Sequence, residues 1–197
     1  MRRWFLLLAC VVMLVSATGC TIVVPNDLPA DTSTDSGTSV PQTGTVKKTA
    51  VPATSYKWGV QTKTSGCKAS GGVQDHGCTP GDIFPDATKA MICVPGYSKS
   101  VRNVPESLKN AVYASYGIKS RTAGEYEVDH LVSLELGGSN DISNLWPELA
   151  APKPGFREKD KVENFLHDQV CSGEMTLKEA QIMIATDWHK AFALMTK

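Results

Sequence analysis

The stretch that most constrains the fold runs from residue 126 to residue 149, YEVDHLVSLELGGSNDISNLWPEL. It places an acidic residue and a histidine side by side, Asp129 and His130, at the end of a short apolar run. The glycine pair at 137–138 then turns the chain, and Asn144 follows fourteen residues after the histidine. Because adjacent residues of a strand point to opposite faces, Asp129 and His130 share one site only at a strand end or a distortion.

These residues resemble the motif of the HNH nucleases, whose fold is two short strands and a helix around one metal ion, the ββα-metal or His-Me finger. The resemblance implies an α+β fold with an HNH-type ββα-metal core, flanking helices and a disulfide-bonded, loop-rich N-terminal part. It also implies that His130 activates water, that Asp129 binds the metal and that Asn144 fixes the orientation of the histidine. A wider resemblance, to small exported bacterial HNH-like proteins, spans about Cys78–Trp188.

The remaining metal ligand departs from the pattern of compact family members. They place it about ten residues after the asparagine, which here falls on the proline-containing segment 150–154, where a helix interior is excluded. We therefore expect the ligand from the helix that follows. Glu163 and His167 lie one turn apart beside its apolar face, and resemble the paired helix ligands of colicin-type nucleases. They are the predicted ligands, with Asp160 and Asn164 in reserve; a solvated helix flank is the alternative.

The resemblance implies one divalent metal ion as cofactor. Magnesium is the default for phosphoryl chemistry, and a histidine ligand also suits manganese, nickel or zinc. In such a site His130 accepts a proton from water, because imidazole titrates near neutral pH. The ion held by Asp129 neutralises the charge that develops on the phosphate.

The function implied is a metal-dependent endonuclease, a hydrolase of phosphodiester bonds in DNA or RNA. No base-reading module accompanies the motif, so we expect contacts mainly to phosphates and little sequence preference. One alternative is a non-catalytic exported lipoprotein, a binding module on a degenerate HNH fold. A metal-dependent phosphodiesterase that acts on small molecules is a third.

Net charge does not identify a nucleic-acid binder, because the chain has 20 basic and 20 acidic residues. Between Lys99 and Arg121, however, five basic residues accompany one acidic residue. A solvated face and a phosphate-binding face both explain this segment. The residues predicted to contact nucleic acid are Arg102, Lys119 and Arg121, and we expect the protein to be a monomer.

The N-terminal segment has the form of an export signal. Basic residues precede an apolar run in residues 1–19, which is too short for a comfortable membrane span. Cys20 follows small residues as in a bacterial lipobox, which predicts a protein that is lipid-anchored to the membrane surface or, after ordinary cleavage, secreted. Residues 20–55 are rich in Thr, Ser, Pro, Asp and Gly and predict a disordered tether. The HNH-like domain is expected at 56–197.

Four cysteines in an exported domain predict two disulfides. Three pairings of Cys67, Cys78, Cys93 and Cys171 are open, as is the alternative that some thiols stay free. We favour the local pair Cys67–Cys78 and the long-range pair Cys93–Cys171.

The remaining secondary structure follows from local patterns. Residues 56–97 contain repeated turn signals and predict loops with one or two short strands. Apolar periodicity predicts helices over 105–116, 156–171 and 176–194, the last opened by a capping box. Trp188 lies on the apolar face of the last helix and is expected in the core.

Overall fold

The computed structural model describes residues 56–196. The predicted signal peptide at 1–19, the lipidation site at Cys20 and the tether at 20–55 lie outside the described residues. No helix within the described part is long and apolar enough to cross a membrane.

The described domain is a mixed α+β fold, as predicted at that level. A two-stranded antiparallel sheet lies in the middle of the chain order, with helices before and after it. Two 3₁₀ helices, Leu134–Leu136 and Ile142–Asn144, lie in the connection between the strands. The helices and strands are α1 Lys89–Ile92, α2 Tyr97–Val101, α3 Glu106–Ser115, β1 Tyr126–His130, β2 Leu145–Leu149, α4 Phe156–Ser172 and α5 Leu177–Met195.

The three long helices lie where apolar periodicity and capping residues predict them. Thr176 and Glu179 form the expected capping box of α5: each side chain accepts a hydrogen bond from the backbone N–H of the other, at 3.2 and 2.9 Å. The prediction of short strands in residues 56–97 is wrong. That segment forms the short helices α1 and α2, and its pairing is limited to isolated bridges such as Ser70 with Val73.

The two strands place the motif residues in a defined register. Asp129 pairs with Trp146, and His130 pairs with Leu145. The connection between the strands turns at the glycine pair. Gly137 has a φ of +75°, and a Cβ on Gly138 would lie 1.8 Å from the carbonyl oxygen of Val132. This backbone approach therefore admits only glycine at position 138.

The hydrophobic core lies between α4, α5 and the residues that follow β1. Trp188 is fully buried, as predicted, and its indole N–H donates to the carbonyl of Gly72 at 3.0 Å. The apolar stripe of α4 is buried along its length, because the helix packs on α5 on one side and on the strand connection on the other. The core residues of α4 are Val162, Leu166 and Val170.

Both favoured disulfides are present. Cys67 pairs with Cys78, and Cys93 pairs with Cys171 across a sequence separation of 78 residues. The second bond joins the end of α1 to the last turn of α4. It therefore fixes the segment before the motif against the helix that follows it.

Candidate functional site

Asn144 holds the backbone that follows β1. Its side chain is fully buried, and its amide oxygen accepts hydrogen bonds from the backbone N–H of Val132 at 2.9 Å and of Asp82 at 3.2 Å. Its amide nitrogen donates to the carbonyls of Val132 at 3.0 Å and Ser139 at 2.8 Å. All four hydrogen bonds available to the amide are made, so the chain leaving His130 is fixed at two points of its backbone.

His130 ends β1 and is bound through its ring to Asn140. Its Nε2 lies 3.1 Å from the side-chain oxygen of Asn140. That oxygen also accepts from the backbone N–H of Asn103 at 3.1 Å, while the amide nitrogen of Asn140 donates to the carbonyl of Val101 at 2.8 Å. The two backbone partners fix which end of the amide is the acceptor, so Nε2 of His130 carries the proton. Nδ1 therefore carries the lone pair.

Strand geometry separates Asp129 from His130. Their side chains leave β1 on opposite faces, as alternation along a strand requires. Asp129 points toward α4, where its carboxylate accepts a hydrogen bond from Lys159 at 2.6 Å. Asp129 and His130 therefore lie in two adjoining environments, the first facing α4 and the second facing Asn140.

Lys159 is the central charge of the first environment. It is fully buried in the first turns of α4, and its ammonium donates to Asp129 at 2.6 Å, to the backbone carbonyl of His130 at 2.8 Å and to the carboxylate of Glu163. Burial alone would lower the pKa of Lys159, but the neighbouring carboxylates outweigh it and raise that pKa. The lysine is therefore charged at neutral pH.

Three carboxyl groups surround this one ammonium and differ in protonation. Burial disfavours the charge of Asp129, but Lys159 outweighs burial and lowers its pKa. Burial raises the pKa of Glu148 to about 10, and the charge of Asp129 raises it too. Burial also raises the pKa of Glu163 to about 7, against the attraction of Lys159. At neutral pH Asp129 is ionised and Glu148 is protonated, whereas the pKa of Glu163 is raised toward neutrality.

Glu148 comes from β2 and is buried beside Asp129. No N–H or O–H group of residues 56–196 donates to either of its carboxyl oxygens. Its interaction with Asp129 lowers the pKa of Asp129 and raises its own. A protonated Glu148 that donates to an ionised Asp129 accounts for both directions.

His130 is uncharged at neutral pH. Its side chain is 3% exposed, and burial lowers its pKa to about 4, while Asp129 and Asn140 act in the opposite direction. The positive charges of Arg102 and Lys159 add to the lowering. The imidazole therefore presents a neutral ring with its lone pair on Nδ1.

The structure does not place His167 with Asp129 and Glu163. Its Nε2 lies 3.1 Å from the carbonyl oxygen of Ile92 and 3.5 Å from the sulfur of Cys171. Glu163 instead turns to Lys159, one helical turn before it. The two reserve ligands, Asp160 and Asn164, lie on the exposed side of α4. His167 therefore lies against the Cys93–Cys171 disulfide and not in the group of Asp129 and Glu163.

The residues present do not fit the predicted divalent ion. Magnesium needs oxygen ligands at about 2.1 Å, and the ammonium of Lys159 lies where such an ion would have to bridge Asp129 and Glu163. Within residues 56–196, one group of three ligand atoms lies within 4.8 Å of one another: Cys93, His167 and Cys171. That group could bind a metal ion only after reduction, because its two sulfurs are bonded to each other.

The residues predicted to contact nucleic acid lie around α3. Arg102 is exposed and lines a cavity of about 450 Å³ together with Lys109 and Tyr126. Its charge acts on His130, so it lies nearest the motif. Arg121 stacks on the ring of Tyr113 at 3.8 Å, and it lines a neighbouring cavity of about 430 Å³ with Lys119. The three predicted residues are thus distributed over two adjoining cavities.

Three residues of the site were missed by the sequence interpretation. One is Lys159, which lies four residues before the predicted Glu163. That spacing pairs opposite charges on one helix face, and it was the available signal. For Glu148 the available signal was strand alternation, because it lies two residues after the buried Trp146 and so on the same face of β2. For Asn140 the sequence carried no signal, because its contact with His130 depends on the path of the strand connection.

Comparison with protein-family models, with curated proteins and with solved structures finds no match. The resemblance to HNH nucleases therefore depends on the motif residues themselves. The class of protein defined by fold and site is a disulfide-bonded α+β domain. Its strand-end histidine is neutral and its acidic cluster surrounds a buried lysine.

Proposed function

We propose that this domain is an HNH-type endonuclease that hydrolyses phosphodiester bonds of DNA or RNA, with His130 as general base. The observation that carries the proposal is the ring geometry of His130. Its Nε2–H is bound to Asn140 and its Nδ1 carries the lone pair, while Asn144 fixes the backbone beyond it. A neutral imidazole with a defined basic atom on a fixed strand end is the arrangement that a water-activating base requires.

In the proposed reaction, Nδ1 of His130 takes a proton from a water molecule as the water oxygen attacks phosphorus. The P–O bond on the opposite side breaks, and the departing oxygen takes a proton from solvent. Asn140 stabilises the protonated imidazole, because the Nε2–H it receives becomes a stronger donor once the ring is charged. Arg102 is the exposed cation nearest to this point and is proposed to bind the phosphate.

The proposed substrate path follows the basic residues around α3. The cavity lined by Arg102 and Lys109 and the cavity lined by Lys119 and Arg121 share Tyr113 in their walls. Contacts of this kind go to phosphates and carry no base specificity, so little sequence preference is proposed.

We also propose that the protein acts outside the cytoplasm, anchored through a lipid at Cys20 or secreted. The two disulfides support this location, because such bonds persist in oxidising compartments.

Cleavage of supercoiled plasmid by the full-length chain, produced in an oxidising compartment, tests the nuclease proposal. Wild type is compared with His130→Ala and with His76→Ala, a matched substitution of an exposed histidine in another part of the domain. Each is assayed in chelator and with magnesium, manganese, nickel or zinc, on DNA and on RNA. Nicking that His130→Ala loses and His76→Ala keeps is the expected result.

A second candidate function is a non-catalytic binding module on the same fold. It is favoured by the burial of His130 and by the complete pairing of the ammonium of Lys159 inside the domain. Absence of cleavage by folded wild type on either nucleic acid, in every condition above, would support this module and contradict the nuclease.

A further inference from the structure

The ammonium of Lys159 has no free donor. A lysine carries three N–H groups, and each has an acceptor inside the domain: Asp129, the backbone carbonyl of His130, and Glu163. The side chain is fully buried. A surface lysine that folded back onto an acidic residue would keep water at one or more of these positions, so this one is built into the site.

The position of this ammonium is the position at which a cation would have to bind. It links the two carboxylates that the sequence marked as metal ligands, one from β1 and one from α4. It also binds the carbonyl of His130, so the same charge fixes the strand end that carries the imidazole. A compact point charge with three donors can replace an ion in joining these elements, although it cannot reach a substrate from a fully buried position.

We infer that Lys159 is the resident cation of this site and that the wild-type chain binds no divalent ion between Asp129 and Glu163. Lys159 is a positioning residue: it orients His130 through the backbone carbonyl and keeps Asp129 in place on the neighbouring face. One consequence, that cleavage proceeds in the presence of chelator, rests on the proposed nuclease function. The assignment of the cation does not.

Replacement of Lys159 by a small neutral residue should create the metal site that the wild type lacks. Lys159→Ala removes the charge and leaves Asp129, Glu163 and Glu148 around the space of the removed side chain. Carboxylate oxygens in such a group are the ligands that hard divalent ions prefer. Lys161→Ala, an exposed lysine on the same helix, is the matched control.

The experiment is a titration of the full-length chain with Mn²⁺, in which the paramagnetic resonance signal of the free ion reports binding and thermal unfolding is measured in parallel. Wild type and Lys161→Ala should bind no stoichiometric ion and keep their unfolding midpoint. Lys159→Ala should bind one ion at least about tenfold more tightly than wild type, a difference of about 1.4 kcal/mol. The ion should raise its lowered midpoint, and the added substitution Asp129→Asn should abolish binding.

Stoichiometric binding of Mn²⁺ to wild type that Asp129→Asn abolishes would overturn the inference, as would a folded Lys159→Ala chain that gains no binding. If Lys159→Ala does not fold even with the ion present, the wild-type titration decides alone. Binding is read without any substrate. If the chain cleaves no nucleic acid and binds no ion, this inference therefore stands and the nuclease proposal fails. If the chain cleaves only with an ion bound at Asp129, the nuclease proposal stands and this inference fails.

Discussion

The tautomer of His130 is set by Asn140, and the orientation of the Asn140 amide is in turn set by the backbone. Its oxygen accepts from Asn103 N–H and its nitrogen donates to the carbonyl of Val101, so the amide cannot be exchanged end for end without losing both bonds. The imidazole is thereby held as the Nε2–H tautomer next to its partner. A side chain that touches no predicted metal ligand thus decides which nitrogen of the proposed base is free.

Asn140→Asp should raise the pKa of His130. Wild-type His130 has a pKa near 4, chiefly because it is buried. A carboxylate at 3.1 Å in place of the amide oxygen favours the charged ring, and such a neighbour shifts a pKa by about one unit or more. Titration of the ring nitrogens by NMR checks the shift and the tautomer together. Asn140→Ala is the control, and an unchanged titration in Asn140→Asp would contradict the contact.

Glu148→Gln should stabilise the domain increasingly as pH rises. The folded-state pKa of Glu148, about 10, lies above its ordinary value of 4.5. A raised pKa contributes stability that is full below pH 4.5 and is lost as pH rises toward 10, because the unfolded chain releases its proton first. Glutamine keeps the shape without this loss.

The advantage of Glu148→Gln in the free energy of unfolding should therefore grow by up to about 1.4 kcal/mol per pH unit above pH 4.5. Urea unfolding of both chains at pH 5, 6.5 and 8 measures it. An advantage that stays constant over this range would show that Glu148 is ionised in the folded state.

At the scale of the elements, α4 joins the site to the disulfide framework. Its first turns carry Lys159 against β1, its middle is core, and its last turn is bonded through Cys171 to Cys93 at the end of α1. The helix is therefore fixed to β1 at its first turn and to the end of α1 at its last turn. His167, near the second end, contacts this framework instead of the acidic cluster.

The double substitution Cys93→Ser and Cys171→Ser should lower the free energy of unfolding by about 4–5 kcal/mol, as the chain-entropy account gives for a loop of this length. The loop spans 78 residues, against 11 for Cys67–Cys78. The matched double substitution of the short loop should cost less, about 3 kcal/mol or below. Chemical denaturation of the three chains measures the order, and a larger loss from the short loop would contradict it.

At the scale of the whole molecule, equal numbers of basic and acidic residues conceal an uneven distribution of charge. The basic residues predicted to bind phosphate gather around α3, and the acidic cluster is buried against Lys159 and contributes little to the surface. In the proposed mode of binding, a nucleic acid that approaches this face contacts Arg102, Lys119 and Arg121. Net charge therefore does not measure the suitability of this surface for phosphates.

Arg102→Ala should weaken binding of a fluorescent oligonucleotide and reduce its salt dependence. Each phosphate contact that is lost lowers the slope of log affinity against log salt concentration by about one. His130→Ala serves as the background chain, so that no substrate is consumed, and Lys190→Ala on α5 is the control for an exposed charge elsewhere. An unchanged slope in Arg102→Ala would remove Arg102 from the proposed path.

The sequence by itself determined those features that depend on residues close together along the chain. The helices α3, α4 and α5 follow from apolar periodicity and capping residues. The role expected for Asn144 was what the resemblance to the HNH motif implies, and the glycine pair marked the turn between the strands. The two disulfides are the favoured ones. The positions of the cysteines along the chain already distinguished a local pair from a long-range pair.

Only the tertiary structure decided which charges meet. A lysine in a helix is by default solvated, whereas Lys159 is fully buried and pairs with Asp129 of β1. Helix periodicity placed Glu163 and His167 on one side of α4. It could not predict that Glu163 contacts the ammonium of Lys159 and that His167 contacts a disulfide. Side-chain partners across elements depend on how the elements pack, and the cation of this site is therefore a property of the fold.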